Sequence, residues 1–443
     1  MSEASSLPGR GPNPVLLPER GAPRSARPTP GRLRIAFLIY RGNPHSGGQG
    51  VYTRYLTRAL VELGHEVEVF SGPPYPVLDD GVKFTPVPSL DLYREPDPFR
   101  VPWPWEFKSW IDVEEFGIMA SGGFPEPRTW SHRIRRVLQD RVGDFDIIHD
   151  NQCLGSGLLG VVKDGWPLLT TLHHPITVDR DLDLSHARGP YKFLTLKRWY
   201  AFLGMQKRVA RQLPRLVTVS TSSKRDIGAQ MGVSLDKLGV VAVGVDHVRF
   251  RRLPHVKKVP GRLMTTASAD VPLKGLMPLL EAVAKVKTER EVNLTIVGKP
   301  RSGSKVAARV AELGLQDVVT FASGISDDRM VELFNEAEVA VVPSLYEGFS
   351  LPAVEAMACS TALVATTGGA LPEVVGTDGT TGILVPPNDP GALAAAIIRV
   401  LDDKKLRESL EREGRKRVEK MFTWQACAEG TVREYREVLD AHR

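Results

Sequence analysis

The feature that most restricts what this chain can fold into is an alternation of short apolar runs with helix-forming stretches, carried through both halves of its 443 residues. It begins at RIAFLIY (34–40), passes a glycine-rich HSGGQG (45–50) and a helical stretch to Leu63, stops at Gly64, and resumes at HEVEVF (65–70). Further runs at FDIIH (145–149), PLLTTLH (167–173) and RLVTVS (215–220) read as strands with helical stretches between them, and GVVAVGVD (239–246) closes this half. Residues 251–261, rich in Arg, Lys and Pro, read as a linker. The alternation then restarts at RLMTTAS (262–268) and continues through VNLTIVG (292–298), VVTFAS (318–323), EVAVVPS (338–344) and ALVATT (362–367). Apolar runs of this length, bounded by turn residues and separated by helices, form parallel strands covered on both faces. The expectation is an α/β chain with two Rossmann-like domains, 33–250 and 262–422, whose parallel sheets face each other across a cleft. In open α/β sheets ligands bind beyond the strand C-termini, so that cleft is where function is expected.

The first glycine loop invites a dinucleotide-binding reading, and the residues reject it. Gly48 and Gly50 supply two glycines of a G-x-G-x-x-G pattern, but the third position is Thr53. The second strand ends VEVFSG (67–72), with no carboxylate for a ribose hydroxyl. What remains is a loop at a helix N-terminus where backbone can approach a phosphate or a sugar, or serve simply as a tight turn.

The stretch PSLYEGFSLPAVEAMA (343–358) carries the most chemistry. A buried strand ends at Pro343, and from Pro352 the sequence is strongly helix-forming, with a proline where a first turn needs no N–H. Glu347 and Gly348 therefore lie in a strand-to-helix loop. Phe349, Ser350 and Leu351 present free amides at the helix N-terminus, a natural anion site, and Glu355 falls about a turn into the helix. The rim so formed suits a ligand with hydroxyls at both ends and phosphate in the middle. The plainer alternative is a solvated glutamate before a helix and a second one helping to cap it.

Composition narrows the class. Residues 1–32 form a Pro/Arg-rich tail expected to be disordered; its five arginines against Glu3 and Glu19 account for about half of the formal +6 charge. The remainder is only mildly basic, which argues against a dedicated nucleic-acid binder. The first 30 residues lack an apolar signal core, and no apolar run approaches the roughly 18–20 residues that span a bilayer. Cys153, Cys359 and Cys427 are scattered without metal-ligand spacing, so a reducing cytosol is the simplest setting.

Taken in order, the motifs resemble the GT-B-fold retaining glycosyltransferases of family 4, over roughly residues 33–440. The landmarks are SGGQGVYTRYLTRALVELGHEV, GVDHVRF (244–250), LKG (273–275), FASGISDDRMVELFNEAEVAVVPS, EGFSLPAVEAMA, TGGALPEVVG (367–376), TGILVPPNDP (381–390) and FTW (422–424). The resemblance implies a nucleotide diphosphate sugar as co-substrate, with no separate cofactor, and transfer of a hexose to an acceptor hydroxyl that the sequence does not name. It implies that Glu347 binds hydroxyls of the donor sugar and that amides around Phe349, Ser350 and Leu351 hold the diphosphate. Glu355 takes the nucleotide ribose, and Lys274 neutralises diphosphate oxygens. By the same analogy Gly47 and Gly48 approach the phosphates or the acceptor, and His173 in TLHHP (171–175) stands near the donor sugar. Backbone near Ile325 meets the base. Glu347 and His173 are the candidate catalytic residues, and the last helix, 423–443, is expected to pack back on the N-terminal domain.

Three positions depart from the family pattern. Ala269 stands where an arginine is usual, five residues before Lys274, and Arg301 is a replacement by neighbourhood only. Ser350 replaces a common glycine, a mild change on sequence grounds, and STALVA (360–365) lacks a frequent proline. The acidic pair Asp181 and Asp183 reads as a solvated loop after TLHHP rather than a metal-nucleotide motif, so no essential metal is expected.

The region 90–130 is the least family-like. It holds Trp103, Trp105, Trp110 and Trp130, rings suited to sugar stacking, lipid contact or packing. The run 191–215 has seven Lys/Arg and no acid, with Lys197, Arg208, Arg211 and Arg215 at near-helical spacing. A basic helix of that kind can touch anionic lipid, giving peripheral contact with the inner membrane face; an ordinary core-packing helix with a solvated face is the alternative. A non-catalytic carbohydrate-binding protein that kept the fold is the rival to the enzyme, and Ala269 is the residue that favours it. For the tail, the low apolar content implies that deleting residues 1–30 leaves melting temperature and turnover nearly unchanged. A large loss of either would show that the tail docks.

Overall fold

The computed structural model describes residues 31–443, apart from 44–47, 186, 188, 268–270, 299–303 and the side chains of 179 and 182. The tail to residue 30, Gly47, Ala269 and Arg301 therefore lie outside the described residues.

The N-terminal half supplies β1 (Arg34–Ile39), β2 (Glu66–Ser71), β3 (Lys83–Pro86), β4 (Ile147–Asn151), β5 (Leu168–Thr171), β6 (Arg215–Thr218) and β7 (Leu238–Val240). The C-terminal half supplies β8 (Arg262–Thr266), β9 (Asn293–Val297), β10 (Val319–Ala322), β11 (Val339–Val342), β12 (Ala362–Thr366) and β13 (Ile383–Val385). Among the described residues these build a seven-stranded sheet in the order β3-β2-β1-β4-β5-β6-β7 and a six-stranded sheet in the order β10-β9-β8-β11-β12-β13. Neighbouring strands pair in parallel throughout. Central strands such as β1 and β12 are buried along almost their whole length, because helices cover both faces. Sequence patterning missed β3 and β13. Both are edge strands of three or four residues that are only partly buried, so they lack a full apolar run.

Each sheet winds outward in two directions from its first strand. The order reverses between β1 and β4 in one sheet and between β8 and β11 in the other, and these reversals are where loops splay apart to leave a crevice. The described residues that follow β1, β4, β8 and β11 before the next long helix are 40–43 with 48, 152–156, 267 with 271–275, and 343–350. Apart from His173 after β5 and Ile325 after β10, the described candidate site residues fall in these loops or at the helix starts beyond them.

Two chain crossings join the domains. Residues 244–246 run beside 422–424, where Val245 bridges Thr423 and its amide donates to the Phe422 carbonyl at 2.8 Å. A side chain at Gly244 would meet the Trp424 backbone nitrogen at 2.5 Å, so only glycine fits there. The linker is tied to the C-terminal domain through buried Asn335, which bonds Arg252, the Leu253 amide and the Arg251 carbonyl. The final helix, Trp424–His442, returns to the N-terminal domain. Trp424 stacks on Tyr55 and meets Tyr52 edge-on, Glu434 pairs with Arg215, and Tyr435 reaches buried His149 at 2.6 Å.

Two expectations need correction. The basic run 191–215 is not one helix: it breaks after Trp199 into Pro190–Trp199 and Phe202–Gln212, and Arg215 begins β6. Arg211 donates to the Met231 carbonyl and Arg215 pairs with Glu434, so these two do not share a free basic face with Lys197. Asp181 and Asp183 lie on a helix, Thr177–Ser185, not in a loop; Asp181 pairs with Arg180 and Asp183 accepts from Tyr200. In the aromatic region Trp130 is core, whereas Trp103 and Trp105 stack on each other in solvent at 5.0 Å. No helix among the described residues is long and apolar enough to cross a membrane. Because Trp424 ties the crossing to the N-terminal domain, Trp424→Ala should cost about 3–5 kcal/mol of stability, measured by denaturant titration.

Candidate active site

The loop after β11 is shaped by what lies under it. Ser344 gives its carbonyl to the Thr366 hydroxyl, and the Leu345 amide bonds the Leu273 carbonyl at 2.8 Å. The Ala370 amide bonds the Glu347 carbonyl at 2.8 Å. Gly369 (φ +61°) packs so closely on the Glu347 backbone that no side chain could stand there. A side chain at Gly368 would likewise meet the Ser344 and Leu345 carbonyls at 2.7 Å, which accounts for both glycines of TGGALPE. Gly275 (φ +67°) has the same relation to the Pro343 carbonyl and brings the turn Pro272–Lys274 against the loop.

The consequence is a pair. Lys274 Nζ lies 2.8 Å from Glu347 Oε1, and the Ser344 hydroxyl donates to the same oxygen at 2.7 Å. Glu347 is nearly buried. The two groups assigned by resemblance to diphosphate and to sugar hydroxyls neutralise each other here.

Immediately beyond, Ser350 adopts φ +96°, ψ +76° and opens the helix Leu351–Ala358. That left-handed region costs a non-glycine residue roughly 1–3 kcal/mol, so the exchange of glycine for serine is not the mild change the sequence suggested. The Ser350 hydroxyl is buried and makes no hydrogen bond among the described residues. The Phe349 ring turns inward against Phe422, leaving backbone as the polar surface of this turn. Among the described residues nothing accepts from the amides of Phe349, Ser350 and Leu351. They stand free at the positive end of the helix dipole, beside the Lys274–Glu347 pair, an arrangement of the kind that receives anions.

Glu355 sits one turn in. Burial first, and the Asp327 charge second, push its carboxyl up to about 7. Asp327 opens the helix that follows Ile325, which places the Ile325 loop on the Glu355 side of the site. Ile325 itself is partly buried against the core.

From the other domain, Gly48 (φ +72°) caps the helix Gln49–Glu62, and Gly50 has no room for a side chain against the Asn43 and Gly42 carbonyls. His173 follows β5. Its Nε2 lies 2.8 Å from Asn151 Oδ1, its amide donates to Gln152 Oε1 at 2.7 Å, and its ring meets Tyr52 edge-on. Burial lowers its pKa to about 3, so the imidazole is neutral. His174 is exposed and offers its carbonyl to Gln152.

The domains meet at this point. The Gly348 carbonyl accepts from Ser220 Oγ at 2.6 Å and Ser223 Oγ at 3.0 Å. Tyr346 donates to Asp226, and Glu373 accepts the amides of Thr221 and Ser222 at 2.7 Å each, at the N-terminus of the helix Thr221–Met231. A side chain at Gly348 would stand 3.9 Å from the His173 carbonyl. His173 and Glu347 are thereby brought to the same place from sequence positions far apart. Sequence reading missed Asn151, Gln152, Ser220, Ser223 and Glu373. The available signals were their strand-end positions and, for Glu373, its place in TGGALPE.

Two family models match, Glycosyltransferase Family 4 over residues 46–249 and Glycosyl transferases group 1 over residues 252–417. The chain is 52% identical over 408 residues to the MMP alpha-(1->4)-mannosyltransferase of Mycolicibacterium hassiacum, covering 92% of this chain and 98% of the relative. The chain belongs to glycosyltransferase family 4. This glycosyltransferase is also 29% identical to the D-inositol 3-phosphate glycosyltransferase of Acidothermus cellulolyticus, across 96% of this chain and 93% of that one. Among solved structures it is similar in fold to sucrose-phosphate synthase from Thermosynechococcus elongatus (TM-score 0.65, 23% identity, 92% and 100% of the two chains). Anabaena Alr3699/HepE in complex with UDP-glucose gives a TM-score of 0.62 at 16% identity, over 92% and 100%. Its two doubly wound sheets are the GT-B architecture.

The raised pKa of Glu355 has a stability consequence. From the ordinary 4.5 up to about 7 the folded glycosyltransferase keeps a proton that the unfolded chain has released, so this group's contribution falls as pH rises through that window. Glu355→Gln should flatten the loss, leaving the ligand-free variant at least as stable as the parent at about pH 8 by thermal melting.

Proposed function

We propose that this glycosyltransferase moves a mannosyl residue from a nucleotide diphosphate sugar to an acceptor hydroxyl, with retention of anomeric configuration and without a resident metal. The observation that carries the reading is the Lys274–Glu347 pair standing beside the free amides at the N-terminus of Leu351–Ala358. A diphosphate entering there draws Lys274 to its own oxygens. Glu347 is then released to accept hydrogen bonds from sugar hydroxyls. The mannosyl group is supported by the name of the 52% identical relative, and a nucleotide sugar by the UDP-glucose complex of a protein of the same fold.

In this reading catalysis is chiefly electrostatic. Negative charge grows on the departing diphosphate, where Lys274 and the amides of Ser350 and Leu351 stand ready. Positive charge grows on the sugar ring, beside the Glu347 carboxylate. The bond from the anomeric carbon to phosphate breaks, the bond to the acceptor oxygen forms on the same face, and the acceptor proton leaves with a diphosphate oxygen. Glu355, one helical turn further in, accepts from ribose hydroxyls and does so best when ionised.

The two glutamates should fail differently. Removing a preorganised group beside the reacting centre costs on the order of 100- to 1,000-fold, so Glu347→Gln should lower kcat while nucleotide still binds. Losing a charged hydrogen bond to the ribose contributes equally to ground and transition states and costs roughly 1.5–3 kcal/mol, so Glu355→Gln should mainly raise the donor KM. Steady-state kinetics with nucleotide dissociation constants check both. Normal turnover by Glu347→Gln would remove the sugar-site assignment.

A further inference from the structure

We propose that Asn151 is a positioning residue that holds His173 with its proton on Nε2, leaving Nδ1 as the acceptor for a hydroxyl of the sugar in the cleft. The sugar contact at Nδ1 rests on the transfer reaction proposed above; the hydrogen-bond direction rests on geometry alone.

The direction is set by a backbone carbonyl. Gln49 O can only accept, and the Thr53 hydroxyl lies 2.8 Å from it, so that hydroxyl spends its proton there. Thr53 Oγ1 is then an acceptor for Asn151, whose Nδ2 lies 3.1 Å away and 3.5 Å from the same Gln49 carbonyl. Two acceptors on that side fix the amide, because turning it over would set Oδ1 against the Gln49 oxygen. Asn151 Oδ1 must therefore face His173, and an oxygen facing Nε2 at 2.8 Å requires a proton on Nε2. Among the described residues Nδ1 has no hydrogen-bond partner. Asn151 and Thr53 are fully buried, which excludes competing water.

The surrounding turn is built to hold this arrangement. Gln152 (φ +57°) and Leu154 (φ +50°) are both left-handed non-glycine residues, conformations that persist only where neighbours over-determine them. Here Asp150 accepts the amides of Cys153 and Leu154 at 3.3 Å each, and Gln152 grips the 173–174 backbone from both sides. The ionisable groups that face His173 are His174 on its own loop, His149 on β4 and Tyr52 on the facing helix, with Glu347 and its partner Lys274 adjoining Gly348. A hydroxyl that donates to Nδ1 keeps its electron density on the sugar, the direction that favours positive charge developing on the ring. An imidazolium there would oppose it.

The test uses the full-length chain with 15N-labelled histidine. Long-range 1H–15N spectra read the tautomer, and His173→Gln identifies the signal among the ten histidines. The substrate-free protein should show His173 neutral and protonated on Nε2 from about pH 5 to 8. In Asn151→Asp the same position becomes a carboxylate, which raises a neighbouring histidine by about 1–3 units. That variant should gain an acid limb in kcat, with a loss of about tenfold for each pH unit below the raised pKa and recovery toward the parent as pH rises. A wild-type signal protonated on Nδ1, or an imidazolium, overturns the proposal whatever the substrate proves to be. A kcat loss in Asn151→Asp that is uniform with pH overturns the positioning role, and the expected tautomer with no sugar transfer by the parent would instead indict the proposed reaction.

Discussion

The carbonyl oxygen of Gly348 is the point on which the site depends. It belongs to the C-terminal domain and is held by two serine hydroxyls of the N-terminal domain, at 2.6 and 3.0 Å. Glu373 makes the reciprocal contact, placing its carboxylate on the amides that open the helix Thr221–Met231, where charge and helix dipole reinforce each other. Together these bonds shut one end of the cleft and set the Glu347 loop against the His173 strand end. Arg417 secures Glu373 from behind by bonding the Val374 and Glu373 carbonyls. Separating the domains would leave Glu347 without His173 nearby, and neither domain would then hold a complete rim.

Strain collects where the ligand would lie. Ser350, Gln152 and Leu154 all carry positive φ, one on the C-terminal side of the cleft and two on the N-terminal side. The loop that leads into Ser350 is fixed from below by the TGGA segment, through the Ala370 amide on the Glu347 carbonyl, and the 152–154 turn is fixed by Asp150. Such conformations orient backbone amides and side chains before any ligand arrives, so less ordering remains to be done on binding. Lys274 and Glu347 add a second form of preparation. Paired with each other, they avoid the penalty of two half-buried unpaired charges. Among the described residues Glu355 has no such partner, and burial pushes its pKa up to about 7.

The hinge and the last helix tie these features together. Chain crosses between domains at 244–246 and again at 422–424, and the two crossings touch. The returning helix then anchors on Tyr52, Tyr55 and His149, which belong to the same N-terminal elements that carry Thr53 and Asn151. The support for His173 is thus packed against a helix more than 250 positions away in sequence.

Sequence alone determined the architecture, because burial on both faces demands continuous apolar runs and the βα repeat leaves few topologies. It also determined Glu347, Ser350 and Glu355 as neighbours, since strand, loop and helix place them within a few residues of one another. Edge strands β3 and β13 escaped because partial burial needs no apolar run, and the split of residues 191–215 escaped because helix propensity continues across Tyr200 and Ala201 while the backbone does not. Only the tertiary structure decided that Lys274 meets Glu347 and that Ser220, Ser223 and Glu373 latch the domains. It alone decided that Asn151 faces His173. These pairings join residues 22 to 152 positions apart, and no local periodicity records a contact whose distance is set by how two sheets wind and dock.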